Sequence, residues 1–323
     1  MDLSKVIFLN QPKLSEHLID QKFNKLRIGF LPHIKDFILN HDRFKNKEVS
    51  ITFFQKGVSS LVCIIETIDE KLVLKIPLSL NYSRGDSLFF KVWKQAGVSV
   101  PNMIEEGKIN GYNYFLMEYI DALKLSDKYS KEESVKHGVY FKMGSTLNTM
   151  HTPKTVGYGY VVDGKAEYLK FEDWINSPEI QGKAKYAKEH KLLSSRYGSF
   201  SKVCKILVDF VGKDNESSYC HDDFGIHNIF ITDPYTVFDP DPHFNNGYID
   251  LGRSLLYLIE KKLPLDSFIE GYFGNNQYDK KILHAAIFLG IYIRLQHAYE
   301  TNKLERIKNY KQYLYQNKHL LEN

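Results

Sequence analysis

Cysteine is scarce in this chain. Cys63, Cys204 and Cys220 are the only three in 323 residues, and they stand far apart. That spacing excludes a cysteine-rich metal knuckle and a disulfide scaffold, and it fits a reducing, cytoplasmic setting. Long apolar runs are missing too. The longest apolar stretch lies between Lys281 and Arg294 and contains His284. A membrane-spanning helix needs about 20 apolar residues, so this stretch reads as a buried helix and no membrane contact is expected. Near the start only Val6 to Leu9 is apolar, without a basic flank, so no signal peptide is expected. Charge of one sign is equally thin. The net charge is +4, with no long like-charge block and no ladder of basic and aromatic residues, so no nucleic-acid partner is expected. What is present is an ordinary globular mixture, 43% hydrophobic and 25% charged, long enough for one or two domains with a large core.

One stretch carries most of the chemistry: Tyr219-Cys220-His221-Asp222-Asp223-Phe224-Gly225-Ile226-His227-Asn228-Ile229-Phe230-Ile231, then Val237-Phe238-Asp239-Pro240-Asp241. It reads as a short buried strand, a polar loop and a tight hairpin turning at Asp233-Pro234. With Thr232 to Tyr235 as the loop, Ile231 pairs with Thr236 and Asn228 falls opposite Asp239. An amide oxygen and a carboxylate then lie side by side, a ligand set that suits a hard cation such as Mg²⁺. Asp223, on the loop leading in, is a second carboxylate able to orient or deprotonate a hydroxyl. An acidic, exposed hairpin without chemistry is the competing reading.

The pattern resembles the aminoglycoside phosphotransferase family, the small-molecule branch of the protein-kinase-like fold. The match is His221-Asp222-Asp223, four residues, Asn228, and then Val237-Phe238-Asp239. Asp222 stands where the family usually has Gly, and His227 where it often has Gly. The resemblance implies Asp223 as catalytic base, Asn228 and Asp239 as Mg²⁺ ligands, ATP as co-substrate with GTP as an alternative, and a small-molecule hydroxyl acceptor.

The rest of the chain supplies the other parts in order. Residues 1–48 read as an N-terminal helical extension broken at Pro32. From 49 to 119 the pattern is strands: Val49 to Gln55, Leu61 to Thr67, Lys71 to Pro77, Met103 to Ile109 and Tyr112 to Tyr119. Asn110-Gly111 marks a hairpin, and one helix is inserted from Asp86 to Ala96. This is the order of a kinase N-lobe. By the resemblance, Gly57, Ser59 and Ser60 form a phosphate turn. Lys75, a charge inside an apolar strand, has the α- and β-phosphates as partner. A solvent-facing lysine on an edge strand is the alternative. Asp86, where the family usually has Glu, stands at the position that pairs with Lys75, although its shorter side chain also suits a helix cap. The resemblance also implies Met117 at the back of the adenine pocket, with the backbone carbonyl of Glu118 and the backbone N–H of Ile120 on the adenine edge.

Residues 120–323 read as a helical C-lobe holding the catalytic loop and acceptor site. Ser130 with Glu133 makes a capping box, and Val135, Val139, Met143, Leu147 and Met150 follow at helical spacing. Asp250, opening a later helix, is expected to cap it and to hold the loop at His221 and Asp223. The fold class is therefore α+β, a bilobal protein-kinase-like fold: a five-stranded antiparallel N-lobe with one helix, plus a mainly helical C-lobe. An aminoglycoside-like antibiotic is the first acceptor, with Asp222, Asp241, Glu172 and Asp173 as acidic candidates to hold it. A metabolite kinase for a sugar, a choline-like molecule or an amino-alcohol is the alternative. A nucleotide-binding pseudokinase is the reading from another class. The expected oligomeric state is monomer or homodimer.

Overall fold

The computed structural model describes residues 5–16, 21–55, 59–78, 85–194, 197–212 and 216–322. The chain divides into two compact units. One comprises Met1–Phe90 and Pro101–Asp121, the other Lys91–Val100 and Ala122–Asn323.

In the first unit the chain runs β1 (Lys5–Phe8), α1 (Gln21–Asn40), β2 (Glu48–Phe53), β3 (Ser60–Glu66), β4 (Lys71–Pro77), α2 (Gly85–Gln95, whose last residues belong to the other unit), β5 (Met103–Ile109) and β6 (Tyr112–Glu118). Among the described residues the sheet order is β1-β2-β3-β4-β6-β5. Strands β2 to β6 are the five expected ones, with antiparallel neighbours. The sixth, β1, pairs parallel with β2 at the edge. Residues 1–48 are thus not a purely helical extension: they contribute a strand and a helix to this unit. Nor does Pro32 break the helix, for α1 runs through it. Phe30, Ile34 and Ile38 recur at helical spacing on the buried face of α1 and join one core with Val49, Ile51, Phe53, Leu74 and Leu116. That burial outweighs the backbone hydrogen bond lost at the proline. The β5–β6 turn places Asn110 and Gly111 at φ of 49° and 82°, the positive pair that a tight two-residue hairpin requires.

The second unit continues with α3 (Leu125–Lys128), α4 (Lys131–Lys136), α5 (Val139–His151), β7 (Lys154–Val156), β8 (Tyr158–Val162), β9 (Lys165–Tyr168), α6 (Phe171–Ile175), α7 (Pro178–Glu189) and α8 (Phe200–Val211). Then follow β10 (Glu216–Cys220), β11 (Ile229–Phe230), β12 (Thr236–Val237), β13 (His243–Asn245), α9 (Gly247–Lys261), α10 (Asp266–Phe273), α11 (Lys280–Glu300) and α12 (Leu304–Asn317). The capping box is present: Ser130 Oγ accepts from Glu133 N at 3.2 Å, and Glu133 Oε2 accepts from Ser130 N at 2.9 Å. The helix it opens stops early, because Gly138 at φ 63° separates α4 from α5. Val135 is consequently exposed, while Val139, Met143, Leu147 and Met150 are core.

Helices dominate this unit, but it also holds a sheet that the sequence pattern did not announce, in the order β7-β10-β13-β8-β9. Its strands are short and lack the alternation that marks a half-buried strand. The hairpin β11–β12 is shifted by one residue from expectation, pairing Ile229 with Val237 and Phe230 with Thr236. Ile231 N–H donates to Leu123 O at 2.8 Å instead of crossing the hairpin, which leaves 231–235 as the loop. Asn228 O accordingly accepts from Phe238 N at 3.1 Å, so Asn228 lies across from Phe238 rather than Asp239. Among the described residues no helix is long and apolar enough to cross a membrane.

Candidate active site

In the first unit Lys75 sits on β4, flanked by Val62 of β3 and Phe115 of β6. That position is interior to the sheet and disposes of the edge-strand reading. Its ammonium is buried and meets Asp86 Oδ2, on the first turn of α2, at 2.6 Å. Asp86 therefore reaches the lysine despite its shorter side chain. Gly57 lies outside the described residues. Ser59 O accepts from Leu78 N at 2.9 Å, and Ser60 O accepts from Nη2 of the buried Arg27 at 2.7 Å. At the end of β6 Met117 is buried and Ile120 half-buried. The Glu118 carboxylate accepts from Asn102 N at 2.8 Å and Asn102 Nδ2 at 2.7 Å, which fixes the strand end.

In the second unit the loop after β10 is built around Asp250. This residue lies in the first turn of α9, whose N-cap is Asn246, accepting from Tyr248 N. Asp250 is therefore not the cap. Its buried carboxylate accepts instead from His221 N at 2.7 Å, Asp222 N at 2.9 Å and His151 Nε2 at 3.0 Å. Burial would raise its pKa, but the hydrogen bonds from His151 and from the His221 backbone bring it below the ordinary value. His221 is fully buried, stacks on Trp93 at 5.8 Å and donates through Nε2 to Phe238 O at 3.1 Å. Burial lowers its pKa, so the ring stays neutral and structural.

Asp223 is the half-buried carboxylate of this loop. Arg294 Nη2, from α11, donates to its Oδ1 at 2.6 Å, and His227 Nε2 lies 3.4 Å from Oδ2. Enclosure alone would raise its pKa. The His227 hydrogen bond and the Arg294 charge outweigh that and hold it below the usual carboxylate range. Asn228 Nδ2 donates to Asp223 O at 3.0 Å, with longer contacts to Asp223 Oδ2 and Asp239 O. The amide is thereby oriented, and among the described residues its oxygen accepts no hydrogen bond. Asp239 is exposed, at φ 54°. An amide oxygen and an exposed carboxylate, from residues that the Asn228 amide ties together, are all-oxygen donors of the kind that Mg²⁺ takes.

Asp222 occupies a left-handed position, φ 61°, which explains the usual glycine there. Its buried carboxylate is ion-paired to Arg253 Nη1 and lies 3.2 Å from His243 Nδ1. Burial pushes its pKa up to about 6, against the pull of both cations. Arg294, Arg253 and His243 were not read from the sequence as site residues. The signal for Arg294 was a cation closing the most apolar stretch of the chain, where burial requires a partner. Its partner is remote in sequence, and nothing local points to it.

The fold is of the protein-kinase-like class. The sequence profile of the phosphotransferase enzyme family matches residues 50–243, and the chain belongs to that family. Its fold is similar to that of aminoglycoside phosphotransferase APH(4)-Ia, with a TM-score of 0.62, 12% identity, and coverage of 88% of this chain and 98% of that one. It is similar to a putative fructosamine-3-kinase from Haemophilus somnus 129PT, with a TM-score of 0.57, 15% identity, and coverage of 82% and 89%. A choline/ethanolamine kinase family protein from Mesorhizobium loti gives a TM-score of 0.59, 16% identity, and coverage of 90% and 95%. No curated protein matches it in sequence.

Proposed function

We propose that the protein transfers the γ-phosphoryl group of ATP to a hydroxyl of a small molecule. The observation that carries this reading is Asp223 on a loop fixed by Asp250, with the Asn228 amide tied to Asp223 and to the Asp239 backbone. The acceptor oxygen bonds to the γ-phosphorus as the bond to the β,γ-bridging oxygen breaks. The bridging oxygen departs with ADP. Asp223 accepts the hydroxyl's hydrogen bond and takes its proton. Its lowered pKa keeps it ionised at neutral pH and makes it more an orienting group than a strong base. Asn228 and Asp239 would hold Mg²⁺, which when bound neutralises charge on the phosphates. Lys75, set by Asp86, is assigned to the α- and β-phosphates. Gly57, Ser59 and Ser60 are assigned to the phosphate turn, Met117 to the back of the adenine pocket, and Glu118 and Ile120 to the adenine edge. The neighbouring aminoglycoside phosphotransferase has been solved with AMP-PNP and hygromycin B, which supports ATP as co-substrate here and keeps an aminoglycoside-like acceptor as the second reading. A metabolite acceptor is favoured, because Asp222, a residue nominated to hold a polycation, is already paired with Arg253 and His243.

The test is Mg²⁺-dependent ADP release with ATP and GTP across hydroxylated acceptors. Asp223→Asn is expected to lower kcat by about 10²- to 10⁴-fold while the Kd for nucleotide stays within a few-fold. Equal turnover in the variant would remove Asp223 from the chemistry. No nucleotide binding by the native protein would remove the kinase reading.

A further inference from the structure

We infer that the acceptor carries an oxyanion, a carboxylate or a phosphate, and that Arg294 receives it. This rests on the kinase reading of Asp223. Arg294 is one of the few cations placed directly on the reacting loop, with Nη2 at 2.6 Å from Asp223 Oδ1. A guanidinium presents five donors in a planar fork. Among the described residues its hydrogen bonds go to Asp223 alone, and its side chain is 30% exposed. Donors therefore remain for a ligand beside the carboxylate that receives the hydroxyl. A fixed Arg294–Asp223 pair also works against the chemistry, since it makes the carboxylate a poorer acceptor. An oxyanion on the acceptor relieves this by drawing the fork toward itself, a pairing that is bidentate and charge-assisted.

Charge around the loop points the same way. His227, half-exposed, adds a second nitrogen against Asp223 at 3.4 Å. Of the carboxylates nominated to hold a polycation, Asp222 is engaged by protein cations, whereas Glu172 and Asp173 are exposed on α6. Asp222 faces Arg253 and His243. Glu260, which accepts from the Tyr310 hydroxyl, meets Arg306 at 2.8 Å. An ammonium group brought to Asp223 would meet Arg294 at close range. The chain's net charge of +4 is consistent with an anionic acceptor.

The experiment compares matched acceptors that differ in charge, with ADP release and nucleotide binding measured together. Glycerol phosphate is set against glycerol, hydroxybutyrate against hydroxybutyramide, and choline and hygromycin B serve as cations. The native protein is expected to favour one anionic member over its uncharged partner by about 10- to 100-fold in kcat/KM, the worth of a charged hydrogen-bond pair. The phosphate and carboxylate arms tell the two anions apart. Arg294→Met is expected to collapse that ratio toward one, and Arg294→Lys to keep part of it. Turnover of choline, hygromycin B or an uncharged acceptor with no anionic advantage overturns the inference and leaves the kinase reading standing. So does an unchanged ratio in Arg294→Met, or nucleotide binding without turnover of any anionic acceptor. A native protein that binds no nucleotide fails at the kinase reading itself.

Discussion

Asp222 answers two demands at one position. Its backbone at φ 61° suits glycine, and L residues other than Asn and Asp resist that region. Its carboxylate is the buried counter-charge for Arg253 and His243. The two demands separate by mutation. Asp222→Gly relaxes the backbone by at most about 1 kcal/mol, since Asp is tolerated in this region, yet leaves Arg253 buried against no carboxylate, which costs about 3–5 kcal/mol. The variant is therefore expected to be less stable than the native protein, and Asp222→Gly with Arg253→Met to recover a good part of the loss. Denaturant midpoints for the two singles and the double measure the coupling. Strict additivity would mean that the ion pair contributes nothing. The sequence showed the replacement of glycine at 222 but not its reason, because Arg253 and His243 become its neighbours only through the packing of α9 and β13. The spacing of Asp223, Asn228 and Asp239 was legible because those three lie within one local loop and hairpin.

Local elements follow their sequence signals where those signals are strong, and depart where tertiary contacts compete. The hairpin at Asn110-Gly111 and the capping box at Ser130 form as their residues dictate. The break at Gly138 was missed because Val135 and Val139 still keep helical spacing across it. The hairpin register slipped by one because Ile231 found a partner in Leu123, which no local rule anticipates. Helix α1 shows the competition most plainly. Pro32 lies within it and is exposed. A proline inside a helix is disfavoured against alanine by about 3 kcal/mol, and the lower entropy of the unfolded proline chain returns up to about 1 kcal/mol of that. Pro32→Ala is therefore expected to stabilise the first unit by about 2 kcal/mol, since the buried stripe of Phe30, Ile34 and Ile38 is untouched. Hydrogen exchange of the α1 amides reads this directly, as stronger protection in the variant. Unchanged or weaker protection would mean that α1 is shaped to need the proline.

At the scale of the whole molecule, the second unit buries titratable groups whose effects on stability oppose each other. Asp222, raised to about 6, binds its proton more tightly when folded. Its contribution is full below the ordinary carboxylate range and is lost as pH rises through about 6. His284 works in reverse. Burial, with the charges of His319 and Lys280, lowers it to about 4 from the ordinary 6.5. Its contribution is full above 6.5 and is lost as pH falls through about 4. The two windows overlap, so the native protein is expected to show a shallow profile that hides both slopes. Removing one partner exposes the other. In His284→Gln the stability lost between pH 6.5 and 4 should be smaller than in the native protein by about 2–3 kcal/mol, the linkage value of that depression. Both tryptophans, Trp93 and Trp174, belong to the second unit, so fluorescence follows its unfolding. The decisive quantity is the difference between the two profiles. His284 Nδ1 is also hydrogen-bonded to the Tyr313 hydroxyl at 2.7 Å, and the loss of that bond shifts the variant's curve by a constant. Curves that stay parallel down to pH 4 would show that His284 protonates as readily in the folded protein as in the unfolded chain. Curves that converge toward acid would show that the buried ring stays neutral in the folded protein and takes up its proton on unfolding.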